Sequence, residues 1–142
     1  MPQPGRTLAV DWGRRRIGLA ISDELGMTSR GLPTVEHTHR EADLAAIESI
    51  AREHEVRRLL VGRPLHMNGR QSPSSREAAR FGKALAKRCG VELILFDERL
   101  TSVEAEQRLR DERPGQRIAK PEVDQMAARV LLESYLRSLD ES

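Results

Sequence analysis

The stretch LAVDWGRRRIGLAISD, residues 8–23, constrains the fold more than any other part of the chain. Leu8 and Val10 alternate with smaller residues before it turns, Ile17, Leu19 and Ile21 alternate after it, and only WGRRR lies between. That pattern predicts strands over residues 6–11 and 16–22 joined as a hairpin. A third extended piece is expected over residues 28–35, where Pro33 suits an edge strand better than a central one. From Glu41 to His54 the period becomes helical, with Leu44, Ile47 and Ala51 on one face, and VRRLLVGRP then reads as a short strand stopped by Gly62 and Pro64.

The segment HMNGRQSPSS, residues 66–75, has the composition of a surface loop and ends in a helix-start signal, Ser74 with Glu77 three residues on. The helix is expected to reach about Arg88, burying Ala78, Phe81 and Leu85, with Gly90 as its stop. VELILF has two apolar faces, as expected of a strand in the middle of a covered sheet. Thr101 and Glu104 repeat the capping-box spacing and open a helix that ends near residues 113–115. A last helix begins around Pro121 and carries Val123, Met126, Ala127, Val130, Leu131 and Ser134 along one stripe. Three adjoining strands followed by strands separated by helices imply a mixed five-stranded sheet, its first three strands antiparallel, with helices on both faces.

At 142 residues the chain suits one domain, expected over residues 1–139 with a frayed tail at 140–142. Aromatic residues make up 3% of it, so Leu, Ile, Val and Ala must fill the core and a base-stacking sheet face is not expected. No apolar stretch is long enough to span a membrane and MPQPGRT has no signal-peptide core, which points to the cytoplasm. The lone cysteine, Cys89, falls among apolar helical positions and reads as packing. Net charge is only +2, but arginines crowd at Arg14, Arg15 and Arg16, at Arg57 and Arg58, and between Arg63 and Arg76. They could rim a phosphate site or simply form solvated faces.

Three acids sit at element ends: Asp11 after the first strand, Glu98 just past the last strand, and Asp124 in the first turn of the final helix. Singly, each has an ordinary explanation as a turn residue, a surface ion pair or a helix N-terminal charge. Together, at the strand ends of one sheet, they would repel unless a divalent cation stabilised all three in ionised form. An oxygen-only cluster favours magnesium or manganese over zinc, and the chemistry it supports is metal-assisted phosphodiester hydrolysis. Ala127 and Ala128 are small enough to let the Asp124 helix approach the sheet closely. Arg63 and His66 lie near the base of a loop that could cover a substrate, whereas His37 and His39 read as loop residues. DWGRRRIG also has the look of an actin-type phosphate loop, but 142 residues do not supply the second lobe such ATPases close over a nucleotide.

Four stretches, LAVDWGRRRIGLAISD, LLVGRPLHMNG, FDERLTSVEAE and VDQMAARVLLESYL, resemble the YqgF or RuvX family of Holliday junction resolvases and pre-16S rRNA nucleases, over nearly the whole chain. The resemblance implies a ribonuclease H-like fold and a hydrolase with Mg2+ or Mn2+ held by Asp11, Glu98 and Asp124, the catalytic set. It also carries over Gly13, Arg16 and Gly18 from the first motif, Gly62, Pro64, Leu65 and Gly69 from the second, and Arg99 and Thr101 from the third. Arg16 and Arg99 would meet phosphate, with Arg14, Arg15, Arg63 and Thr101 as further substrate contacts. Trp12 stands where the family more often has tyrosine; Arg63, His66 and Asn68 also depart from the usual second motif. The implied partner is nucleic acid, an rRNA precursor or branched DNA, bound by a monomer or homodimer; a non-catalytic nucleic-acid-binding factor is the reading from another class.

Overall fold

The computed structural model describes residues 4–64, 73–98 and 101–140. The elements run β1 (Arg6–Asp11), β2 (Arg16–Ser22), β3 (Ser29–Glu36), α1 (Arg40–Glu53), β4 (Val56–Pro64), α2 (Pro73–Cys89), β5 (Glu92–Glu98), α3 (Thr101–Glu112) and α4 (Lys120–Asp140). One sheet holds all five strands in the order β3-β2-β1-β4-β5. The β1–β2 and β2–β3 pairs are antiparallel, as the short turns require, and β1–β4 and β4–β5 are parallel, joined by helical crossovers. β1 is therefore central, and Pro33 lies on β3 at the sheet edge, where its missing N–H is tolerated.

Strand alternation sorts the core into two layers. Leu8, Val10, Ile17, Leu19 and Ile21 face Leu44, Ile47 and Ala51 of α1 and Ala78, Phe81 and Leu85 of α2. On the opposite face Ala9, Ala20 and Leu60 lie under Ala128, Leu131 and Leu132 of α4. Alanines on β1 and β2 let α4 lie close to the sheet on that face. A third layer forms where Ala105 and Leu109 of α3 pack on Met126, Ala127 and Val130 of α4. Burying each of these Leu, Ile and Val side chains contributes about 1.5–3 kcal/mol before conformational entropy is subtracted. No described helix is long and apolar enough to cross a membrane.

Several expected boundaries shift. α2 starts at Pro73, so Ser74 is a helical residue and not the cap; the fixed φ of proline suits the first helical position. Residues 66–72 of the expected loop lie outside the described residues. β5 lies at the sheet edge and not in its middle, half-buried over residues 93–96, and it runs two residues beyond the apolar run, because backbone pairing continues through Arg63–Asp97 and Pro64–Glu98 whatever the side chains. α4 starts at Lys120, which puts Asp124 just past the first turn, where Glu122 is the acidic residue. The expected tail begins one residue early, since Asp140 still belongs to α4; residues 141–142 lie outside the described part.

Candidate functional site

The parallel strands β1, β4 and β5 all end at one edge of the sheet, at Asp11, Pro64 and Glu98. Asp11 follows Ala9 by two positions and so lies on the α4 face, half-buried. Its cross-strand partner in β2 is Gly18. A Cβ on Gly18 would stand 2.1 Å from the backbone oxygen of Asp124 and 3.6 Å from the Ala128 Cβ. Only glycine lets the backbone of α4 rest on the sheet there, directly opposite Asp11. Ala128 is thus the small residue that faces the sheet, whereas Ala127 faces α3. Gly31 gives similar access on β3, where Gln125 donates from Nε2 to the Leu32 carbonyl at 2.8 Å and pins the same turn of α4.

The Asp124 carboxylate accepts a hydrogen bond from Arg16 Nε at 2.8 Å. Arg16 precedes Gly18 by two residues, so the ion pair lies on the α4 face at the hairpin end, beside Asp11. The tight return is made by Gly13, where a Cβ would stand 2.6 Å from the Arg16 carbonyl oxygen. Arg14 and Arg15 are exposed in that turn. Farther back, Arg113 bonds Glu122 and holds its carboxyl below the usual range, tying the end of α3 to the start of α4.

Glu98 is the last residue of β5, paired with Pro64. It lies two strands from β1, about 10 Å across the sheet. The side chains of Glu98, Arg63 and Thr101, and the whole of Arg99, lie outside the described residues. The structure therefore pairs Arg16 with Asp124 and rests the Asp124 backbone on Gly18, the cross-strand partner of Asp11. Among the described residues no group of three His, Cys, Asp or Glu side chains is placed to hold a metal ion.

One cluster escaped the sequence reading. His37 Nδ1 meets the carboxylate of Asp43, which is only 1% exposed and also accepts from Thr38 N at 3.1 Å and Thr38 Oγ1 at 3.3 Å. Trp12 stands edge-on to the His37 ring, centroids 6.4 Å apart. His39 caps α1, accepting at Nδ1 from Ala42 N. A charged residue in a helix's first turn reads as solvated, and nothing in the sequence separated Asp43 from its exposed neighbour Glu41.

A five-stranded mixed sheet in this order, with helices on both faces, is a ribonuclease H-like fold. RuvC of T. thermophilus, solved in complex with a Holliday junction substrate, superposes with a TM-score of 0.62 at 12% identity, covering 94% of this chain and 96% of that one. The Fowlpox virus Holliday junction resolvase gives 0.54 at 13% identity over 94% and 99%. A family model described as "RuvX: Holliday junction resolvase" matches residues 5–138, and the chain belongs to that family. An Anaeromyxobacter dehalogenans (strain 2CP-C) protein named "Putative pre-16S rRNA nuclease" is 48% identical over 92% of this chain and 96% of its own length.

Proposed function

We propose that the protein is a metal-dependent endonuclease that hydrolyses phosphodiester bonds in structured nucleic acid in the cytoplasm, its substrate the 5′ end of the 16S rRNA precursor. The observation that most supports this is the contact of the Asp124 backbone with Gly18, which is the cross-strand partner of Asp11. The donor chemistry fits a hard divalent cation: Asp11 and Asp124 offer oxygens only, and Glu98, at the end of β5 on the same edge, is the natural third ligand. Magnesium or manganese held there would activate water and stabilise the leaving oxygen.

The chain's own groups do the rest. Asp11, fixed by the central strand, would offer its oxygens to the cation at the reacting phosphate. Asp124 would help hold the cation, and Arg16, paired with that carboxylate at 2.8 Å, would be placed to meet a phosphate oxygen. Arg14 and Arg15, exposed in the hairpin turn, reach the backbone on either side. Arg63, Arg99 and Thr101 are proposed as further substrate contacts.

The second reading, a resolvase of four-way DNA junctions, is favoured by the family model and by the shared fold with RuvC. Two matched cuts would need two sites and hence a symmetric homodimer, while precursor processing needs only a monomer. Purified protein with magnesium or manganese, offered an rRNA precursor and a four-way DNA junction in parallel, decides between them. Cleavage at the precursor 5′ end with an intact junction is expected; paired junction cuts with an intact precursor would reverse the assignment, and no cleavage of either would leave a binding factor.

A further inference from the structure

On the opposite face of the sheet from Asp124, at the same edge, Trp12, His37, Arg40, Glu77, Arg80 and Phe81 line a cleft of about 210 Å³. That is below the roughly 300–1,000 Å³ of a pocket for a drug-sized ligand, and suits one planar ring rather than a length of chain. Phe81, 4% exposed, closes the floor, and the half-buried indole of Trp12 packs against the core beside it. Buried Asp43 fixes the His37 imidazole through Nδ1, so Nε2 is the nitrogen turned to a ligand. The two arginines complete the pattern. Both are exposed on the rim of the cleft, beside Glu77.

An aromatic wall, two exposed arginines and one carboxylate rim describe a nucleotide: a π-face for the base, guanidinium groups for phosphate, and an acceptor for an exocyclic amine. Position selects the source. Trp12 follows Asp11 directly, so their Cα atoms are about 3.8 Å apart, less than the reach of one nucleotide. We infer that this cleft is a second subsite of the nucleic-acid strand, taking the base next to the nucleotide at Asp11, with its phosphate on Arg40 and Arg80. The inference rests on the nuclease reading for its choice of strand, but binding tests it separately.

Trp12 is the sole tryptophan, so intrinsic fluorescence reports on the cleft directly. A short single-stranded RNA, titrated without divalent metal, should quench the emission saturably, and inorganic phosphate alone should not. The double variant Arg40→Ala/Arg80→Ala, changed only at exposed positions, should bind the same RNA about tenfold more weakly by anisotropy while keeping its circular dichroism. Trp12→Leu should weaken binding by a similar factor. RNA binding that leaves the emission unchanged, or equal affinity of the arginine variant, overturns the subsite even if the protein cleaves. Quenching with the arginine dependence in a protein that cleaves nothing sustains the subsite and removes the nuclease reading.

Discussion

Gly18→Ala tests how the site is assembled. The added Cβ would stand 2.1 Å from the Asp124 carbonyl oxygen and 2.8 Å from its carbon, and the offended atoms are helix backbone, which cannot rotate aside. Restoring an ordinary contact takes a shift of roughly 1 Å of α4 or β2, and overpacking of this kind costs about 1–3 kcal/mol, with a rigid backbone opponent at the upper end. About 3 kcal/mol lowers the melting temperature of a domain of this size by roughly 10 °C. The same 1 Å displaces Asp124 from Asp11, and a misplacement of that size lowers a reaction about 100-fold. Gly31→Ala is the control: its Cβ meets the Gln125 side chain at 2.4 Å, which can swing away for the loss of one hydrogen bond, about 1 kcal/mol. Thermal melts by circular dichroism and a cleavage assay on both variants measure this. If Gly18→Ala melts with the parent protein, or is no worse than Gly31→Ala, the close approach of α4 is not what builds the site.

Removing the guanidinium in Arg16→Ala should lower stability by about 1 kcal/mol, a modest loss for a pair that is part exposed, and should tighten manganese binding in calorimetry by releasing Asp124. Unchanged manganese affinity would separate Arg16 from the cation site. Asp43→Ala should destabilise by about 3 kcal/mol in urea denaturation, since it strips the His37 and Thr38 donors of a buried charged acceptor. In acid, Asp23 is held below the usual range by the Thr28 and Met27 amides, and Glu48 by Arg52 and Arg88. Groups with depressed folded pKa values stabilise above their ordinary values, 3.8 for Asp23 and 4.5 for Glu48, and lose that contribution as pH falls through the folded ones. Melting temperature should therefore decline below about pH 4.5 and less steeply in Asp23→Asn.

The topology was legible because period changes mark it. Alternation in residues 8–10 and 17–21 and the switch at Leu44 set three antiparallel strands before the crossovers, and Pro33 marked the edge. Boundaries were less so where local chemistry has two outcomes: Ser74 makes an acceptable cap, but Pro73 is a better first helical residue. For Asp124, small residues nearby announced a close helix approach, yet which alanine faced the sheet depended on helix rotation, settled by contacts 100 residues away in sequence. The Arg16–Asp124 pair and the burial of Asp43 are of the same kind. They follow from which strand lies beside which helix, and no local pattern encodes that.

Asp11→Asn is the most direct test of the central claim, because it removes one charge at the end of the central strand and leaves the side chain's shape. Wild type and variant are compared for magnesium-dependent cleavage of the rRNA precursor and the four-way junction, with melting temperature and RNA binding measured alongside. Cleavage should disappear in the variant while fold and binding persist. Undiminished magnesium-dependent cleavage by Asp11→Asn would contradict the assignment of this edge of the sheet as the active site.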